Sequence, residues 1–460
     1  EVEDLNTGRI YTESYDALVL SPGAAPIKPK LDGINIPGIF TVRNIPDARE
    51  ILGKINTGKV KRAAIIGGGF IGLEMAENLH RRNIQVTIIE MLPHVMPVLD
   101  PEMAAVIHHH LKAQKIDLKL GSAVSGFEKL KDNAIVIKLQ SGNSIETDMV
   151  ILSIGIRPEI DLAKNAGLKI GESGGIFTDD QMRTDDEHIW AVGDAVETTH
   201  IISGTQTLLA LAGPANRQGR IAAEAIMEQN NSYPHRFGGV QATAVCGILG
   251  LTIASTGLTE KNLNKMGVSD YEKIYFHPDH HADYYPGAKT MTIKLIFSLK
   301  DGRIFGAQAV GMEGVEKRID VIAMAIQQKA TVFDLEEAEL CYAPQYGSAK
   351  DPVNIAGMIA ANILRGYSSV THWENLNTSD AFILDVREPV EFAKGHVNGA
   401  VNIPLGQLRQ RMSELPKDRE IWTYCYVGKR SYYALRILKQ FGFDVKNISG
   451  GFRSYQLSAL

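Results

Sequence analysis

Residues 61 to 90 read "KRAAIIGGGFIGLEMAENLHRRNIQVTIIE", and this stretch limits the fold most tightly. "AAII" is a short apolar run suited to a buried strand, and it ends on Gly67, Gly69 and Gly72 in G-x-G-x-x-G spacing. "FIGLEMAENLHRR" has helical periodicity, and "QVTIIE" predicts a second strand closing on Glu90. Glycines at that spacing serve a tight turn, backbone approach to a pyrophosphate, and close helix–strand packing. The helix start adds free N–H groups and a partial positive charge for the phosphates. Glu90, 18 residues beyond Gly72, stands where a carboxylate accepts from an adenine-ribose 2′-hydroxyl and repels a 2′-phosphate. The unit points to a dinucleotide, NADH in preference to NADPH. The bland alternative is a Gly-rich turn in an ordinary βαβ unit.

The rest of the chain must hold more than this unit. With 460 residues, 44% of them apolar, it can bury several cores, in about three domains of ~150 residues. A net charge of −5 gives no reason to expect a nucleic-acid or anionic-membrane partner. The longest apolar runs, such as "NIAGMIAANIL", fall short of the ~20 residues of a membrane span, and no export signal opens the chain. Cys246, Cys341 and Cys425 are widely spaced, without C-x-x-C. That excludes a disulfide framework and a thiolate zinc site, and fits a reducing cytoplasm. Cys246 reads as a small apolar strand residue, and Cys341, with no flanking base or cation, as structural.

No metal site is expected. His108, His109 and His110 are consecutive on a helical pattern, so they point in different directions. His277, His280 and His281 share a stretch with Asp279 and Asp283 that reads as a solvated loop.

Two flanking pieces carry a resemblance. "YDALVLSPGAAPIKP" (15 to 29) and "TDDEHIWAVGDAVE" (184 to 197) resemble the strand-and-turn segment and the second flavin motif of flavoprotein disulfide reductases. The resemblance implies that Asp194 bonds the ribityl chain of FAD while Gly193 makes the turn. It also implies that the crossover "ILSIGIRPE", with Gly155, returns from the nucleotide domain. The helix starting at Ala212 in "LAGPANRQGRIAAEAIMEQ" would then face the flavin. The family inserts its NAD domain into a split FAD domain, whose first βαβ unit holds another G-x-G-x-x-G and a redox cysteine. Nothing glycine-rich precedes residue 21 and no cysteine precedes Cys246. A missing N-terminal piece is therefore expected, since a sheet without its central strands would expose a large apolar face.

"HHADYYPGA" (280 to 288) and "ELCYAPQYGSAKDPVN" (339 to 354) resemble the coenzyme A-disulfide/persulfide reductase branch and related NADH oxidases. In that branch a tyrosine pair from one subunit of a homodimer reaches the thiol–flavin site of the other. The matching positions are Tyr284 (or Tyr285) and Tyr342. A phenol can donate a proton to a departing thiolate; the alternative is a pair of interface aromatics.

After a linker, residues 371 to 460 resemble a rhodanese domain. Asp385, Arg387, Glu388, His396, Gly399, Ala400, Asn402 and Pro404 match its D-V-R-E…G-H-h-x-G-A-h-N-I-P signature. "CYVGKR" sets Cys425 at a strand end, Gly428 within a loop and Arg430 at a helix start. Such a loop turns backbone N–H groups toward the sulfur, and with Lys429 and Arg430 it favours a thiolate or persulfide there. Six residues from cysteine to arginine match the sulfurtransferases rather than phosphatases of this fold.

The expected fold class is α/β. A split FAD domain (1–48 and 159–237) encloses an NAD-binding domain (49–158), and an α+β dimerisation domain (238–366) and an α/β rhodanese domain (371–460) follow. The expected activity is NADH- and FAD-dependent reduction of coenzyme A disulfide, persulfide or polysulfide, coupled to sulfur transfer at Cys425. The alternatives are an O2-reducing NADH oxidase and a flavin-free sulfurtransferase or binding protein.

Overall fold

The computed structural model describes residues 1–130, 134–227 and 233–458. Among them the chain forms two compact units, one of residues 1–28 and 154–242, the other of residues 29–153 and 243 onward. The divisions fall at 28/29 and 153/154, not at the expected 48/49 and 158/159. Strand pairing is the reason. Ile39–Thr41 pairs in parallel with Met149–Leu152 inside the nucleotide sheet, while Ile156–Pro158 pairs antiparallel with Ala24–Pro26 in the other unit. Strands of three residues leave little hydrophobic period to read from sequence.

In the larger unit the nucleotide sheet is five-stranded and parallel, in the order Ile39–Thr41, Met149–Leu152, Arg62–Ile66, Gln85–Ile89, Asp117–Lys119. Ala64, Ile65 and Val150, on its central strands, are fully buried, as parallel strands covered on both faces require. Its apolar core continues through Cys246, Ile248, Ile253 and Val310 of a second, antiparallel sheet. That sheet runs Ala244–Ile248, Leu251–Gly257, Ile304–Gly311, Thr292–Ser298, Tyr271–Phe276, the last being an edge strand. Cys246 is buried within it, and burial pushes its thiol up to about 12. A third sheet, parallel, follows the order Val370–Thr371, Val445–Ile448, Ile421–Tyr424, Phe382–Asp385, Val401–Asn402.

A buried ion cluster joins the first two sheets. Lys294, fully buried, reaches Asp100 at 2.7 Å and also touches Glu102 and Glu260. Lys273 bonds Glu260 at 2.8 Å and Glu374 at 2.6 Å, and so brings in the segment leading to the third sheet. Burial alone would raise Glu260, but Lys294 and Lys273 outweigh it and hold the carboxyl at about 2. The oxygens of Asp100, Glu102 and Glu260 lie within 4.8 Å of one another, and the ammonium of Lys294 serves as their cation.

The smaller unit pairs Leu18–Leu20 in parallel with Ile189–Ala191. Its core is Ala163, Leu168, Ile176, Ile189, Ala191, Ala195 and Val196, and it carries the helix Ala212–Met227. No described helix is long and apolar enough to cross a membrane.

Candidate functional site

The nucleotide turn is built from backbone. Gly67 adopts φ +104°, the left-handed region that favours glycine. A Cβ on Gly72 would lie 2.0 Å from the Gly67 carbonyl oxygen and 2.9 Å from Ser153 Oγ, so helix and turn meet there at a distance only glycine allows. Gly69 caps the helix Phe70–His80 without a side chain, and a Cβ there would meet open space. That leaves the helix start clear for a phosphate, and the cradle fits a dinucleotide. Glu90 is buried; its oxygens accept from Gly68 N at 2.7 Å and Leu92 N at 2.9 Å. The carboxylate thus holds the turn as well as standing at its rim, with a second lone pair on each oxygen for a ribose hydroxyl. Behind the turn, Met96 N donates to Gly68 O at 2.8 Å and Val95 N to His108 Nε2 at 3.2 Å. Burial, helped by His94, pushes His108 down to about 4, so it is neutral and able to accept.

In the smaller unit Gly155 (φ +114°) accepts from Ile27 N at 3.0 Å. Gly193 (φ +85°) donates its N–H to Gln218 Oε1 at 2.8 Å, which ties the turn to the helix opening at Ala212. Asp194 is half-buried, and its carboxylate makes no hydrogen bond to the described residues. A held turn beside an uncommitted acceptor fits a polyhydroxylated ligand such as the ribityl chain.

Tyr284 and Tyr342 meet. Their hydroxyls are 2.9 Å apart and both rings are exposed, and the hydrogen bond to Tyr342 raises Tyr284 above the usual phenol range. Tyr285 packs edge-on against His281 instead. The two loops are tied by Ala282 N donating to Gly347 O at 3.0 Å. They are also tied by Arg318, 2% exposed, which reaches His280 O at 2.6 Å and Asp351 at 2.8 Å. His277, His280 and His281 are all buried, which overturns the solvated-loop expectation. His280 Nδ1 accepts from Lys289 N at 2.9 Å, and His281 Nδ1 donates to Ala282 O at 2.9 Å. Cys341 is exposed next to Tyr342.

Cys425 ends the strand Ile421–Tyr424 and is 1% exposed. Gly428 N donates to its sulfur at 3.2 Å and Ser431 Oγ lies 3.6 Å away. Gly428 (φ +95°) is also the N-cap of the helix Lys429–Gln440, so the helix start faces the sulfur. Arg430 makes a two-pronged pair with Glu391 at 2.6 and 2.7 Å, and this pair, with the nearby Cys425 sulfur, raises its pKa. Its charge is therefore shared between Glu391 and the Cys425 sulfur. Arg387 is buried against Asp385 at 2.6 Å and lies 4.1 Å over the Phe452 ring; Asn402 bonds the Asp385 and Arg387 carbonyls. The rhodanese-like signature thus builds the frame of the Cys425 loop.

Residues 1–219 match the model of the pyridine nucleotide-disulphide oxidoreductases, and 243–351 match the dimerisation domain of the same group. The chain belongs to the pyridine nucleotide-disulphide oxidoreductase family. Residues 369–458 match the rhodanese-like domain. Relatives include an NADH oxidase of Methanocaldococcus jannaschii (38% identical, covering 76% of each chain) and a CoA-dependent NAD(P)H sulfur oxidoreductase of Pyrococcus abyssi (33%, covering 78% and 80%). A coenzyme A disulfide reductase of Staphylococcus haemolyticus is 30% identical over 79% of each chain. The crystal structure of reduced Bacillus anthracis CoADR-RHD superposes with a TM-score of 0.95 at 44% identity, over 99% of this chain and 81% of that one. Membership of this oxidoreductase family implies flavin and NAD(P)H use.

Several residues of this family member were not singled out from sequence. Glu391 had a readable signal, the "EPVE" capping box in which Glu388 N bonds its carboxylate. Arg318 and Gln218 had none, because their partners lie far away in sequence.

Proposed function

We propose that the chain is an NADH-dependent flavoprotein reductase of coenzyme A disulfide, persulfide or polysulfide, with sulfur transfer at its rhodanese domain. One observation carries the reading. A thiol receiving a backbone N–H from Gly428 sits on the same chain as a glycine turn too close for a single Cβ at Gly72. Gly67, Gly69 and Gly72 would hold the NADH pyrophosphate, and Glu90 its ribose. Gly155, Gly193, Asp194 and the Ala212 helix would contribute to the FAD site. When bound, the nicotinamide and flavin supply the reducing equivalents for sulfur. The exposed Tyr284–Tyr342 pair of one subunit would serve the thiol site of its partner in a homodimer, giving a proton to the leaving thiolate. Cys425 would carry sulfur as a persulfide in the Gly428–Ser431 cradle, with Arg430 balancing its charge.

The test is NADH oxidation by the flavin-loaded protein under argon and under air, with and without coenzyme A persulfide. Persulfide-dependent oxidation without oxygen supports the reductase. NADH loss that tracks O2 alone and ignores persulfide favours the oxidase reading, which the M. jannaschii relative's name keeps in view.

A further inference from the structure

The loop that holds Cys425 is braced by a second domain. Phe452 N donates to the Cys425 carbonyl at 2.7 Å and Arg453 N to the Tyr426 carbonyl at 2.9 Å, so the start of the helix Gly451–Ser458 grips the loop backbone. The approach is very close. A Cβ on Gly451 (φ +59°) would lie 2.5 Å from Cys425 O and 2.9 Å from both Gly428 N and Tyr426 O. Gly428 N is also the donor to the Cys425 sulfur. Any displacement of residues 450–453 therefore passes directly to the atoms around the thiol.

Within the rhodanese domain Ser449 N donates to Thr371 O at 2.9 Å and Trp373 Nε1 to Gly451 O at 2.9 Å, and residues 449–454 are held from outside that domain as well. Ser449 Oγ accepts from Tyr275 N at 2.8 Å and lies 3.4 Å from Tyr275 O, closing the exposed side of the edge strand Tyr271–Phe276. Next along, His277 Nε2 bonds the Gly450 carbonyl at 3.1 Å and Ser454 Oγ at 3.0 Å, and Nδ1 bonds Thr292 Oγ1 at 3.0 Å. A carbonyl only accepts, so Nε2 carries the proton and Nδ1 accepts from Thr292. Burial, reinforced by Arg453, pushes His277 down to about 3, in keeping with one neutral tautomer. Apolar packing does not do this job alone. A cavity of about 370 Å³, lined by Tyr275, His372, Trp373, Ser454 and Tyr455 among others, lies beside the same seam. Phe452 packs into an apolar cluster with Trp422 and Tyr424, and beside the cavity directional hydrogen bonds add to that packing.

We propose that His277, together with Ser449, positions the Cys425 loop, so that the reactivity of the rhodanese thiol depends on its docking against the dimerisation domain. This rests on Cys425 being the sulfur-carrying residue. With thiosulfate as donor, the Cys425 thiolate attacks the terminal sulfur, the S–S bond breaks and sulfite leaves. Cyanide then takes the sulfur as thiocyanate and restores the thiolate, with no external oxidant or reductant. His277 touches none of these species and acts only through Gly450 and Ser454.

The experiment compares the full chain with His277→Leu, His277→Gln, Ser449→Ala and Cys425→Ser. It measures thiosulfate:cyanide kcat and KM, iodoacetamide labelling of the Cys425 peptide, and NADH affinity as a check on folding. His277→Leu should lower kcat and the labelling rate about tenfold, equivalent to ~1.4 kcal/mol, with KM and NADH affinity unchanged. His277→Gln, which keeps a donor toward Gly450, should recover most of the loss. Ser449→Ala should shift both rates in the same direction as Leu, and it decides the matter if His277→Leu fails to bind NADH. Wild-type rates in His277→Leu, or an equal loss in Leu and Gln, would overturn the proposal. Sulfur transfer that persists in Cys425→Ser would overturn the reading of Cys425 instead, while labelling still reports on the brace.

Discussion

Lys294→Met tests whether the buried ion cluster is held by its central cation. The substitution nearly conserves volume and removes the one cation that, among the described residues, bonds all three carboxylates, leaving oxygens of Asp100, Glu102 and Glu260 within 4.8 Å of one another. Glu260 is held at about 2, below the ordinary carboxylate value of 4.5, by Lys294 and Lys273 together; at 1.36 kcal/mol per unit the whole shift is about 3 kcal/mol, an upper bound on the part that Lys294 supplies. Breaking a buried pair by removing one partner typically costs ~3–5 kcal/mol. The sign follows from the carboxylates. In the native chain Glu260 is depressed, so its contribution is complete above the unfolded value and fades as pH falls toward 2. In Lys294→Met the acids repel one another and their pKa values rise, so protonation relieves the folded state. The deficit should therefore be largest near pH 8 and shrink toward pH 5. Urea unfolding followed by tryptophan fluorescence at both pH values, with EDTA to keep stray cations from the acid cluster, reads it directly. A deficit under about 1 kcal/mol at pH 8, or one that grows on acidification, would refute the reasoning.

Three further outcomes are expected. Gly72→Ala places a Cβ 2.0 Å from Gly67 O, so helix and turn must part; NADH affinity, followed by fluorescence, should fall by on the order of tenfold or more, and the unfolding midpoint should fall with it. Tyr284→Phe removes the 2.9 Å phenol contact with Tyr342 and should lower persulfide-dependent kcat by roughly a hundredfold, at the low end for a lost general acid, with NADH affinity intact. Arg318→Met leaves Asp351 buried and unpaired. It should cost about 3 kcal/mol by thermal or urea unfolding and slow persulfide reduction through the loosened tyrosine loops.

Much of this protein was legible where chemistry is local. The close turn at Gly67–Gly72, the carboxylate of Glu90 beside it and the strand–loop–helix run at Cys425 are set over a few residues by residue type and spacing. The same holds for Cys246, whose apolar neighbours already marked a buried strand. Legibility ended where partners are distant. The strand Ile39–Thr41 has too few residues to show a period, and only its pairing with Met149–Leu152 assigns it to the nucleotide sheet. His277, His280 and His281 looked solvated because polar residues cluster there; their burial follows from neighbours such as Gly450, Ser454 and Arg318 that no local window contains.

Sequence alone therefore determined two backbone features: a close glycine turn at Gly67–Gly72, and a loop whose Gly428 N–H meets the Cys425 sulfur. Both use main-chain atoms, whose placement is dictated over a few residues by glycine and helix starts. Tertiary structure decided the charge balance and rigidity of those sites. Arg430 is shared with Glu391, Tyr284 rather than Tyr285 meets Tyr342, and the Cys425 loop leans on His277. Side-chain partners are chosen by folding, which here brings together groups 39, 58 and 173 residues apart, and no spacing rule in the sequence encodes those distances.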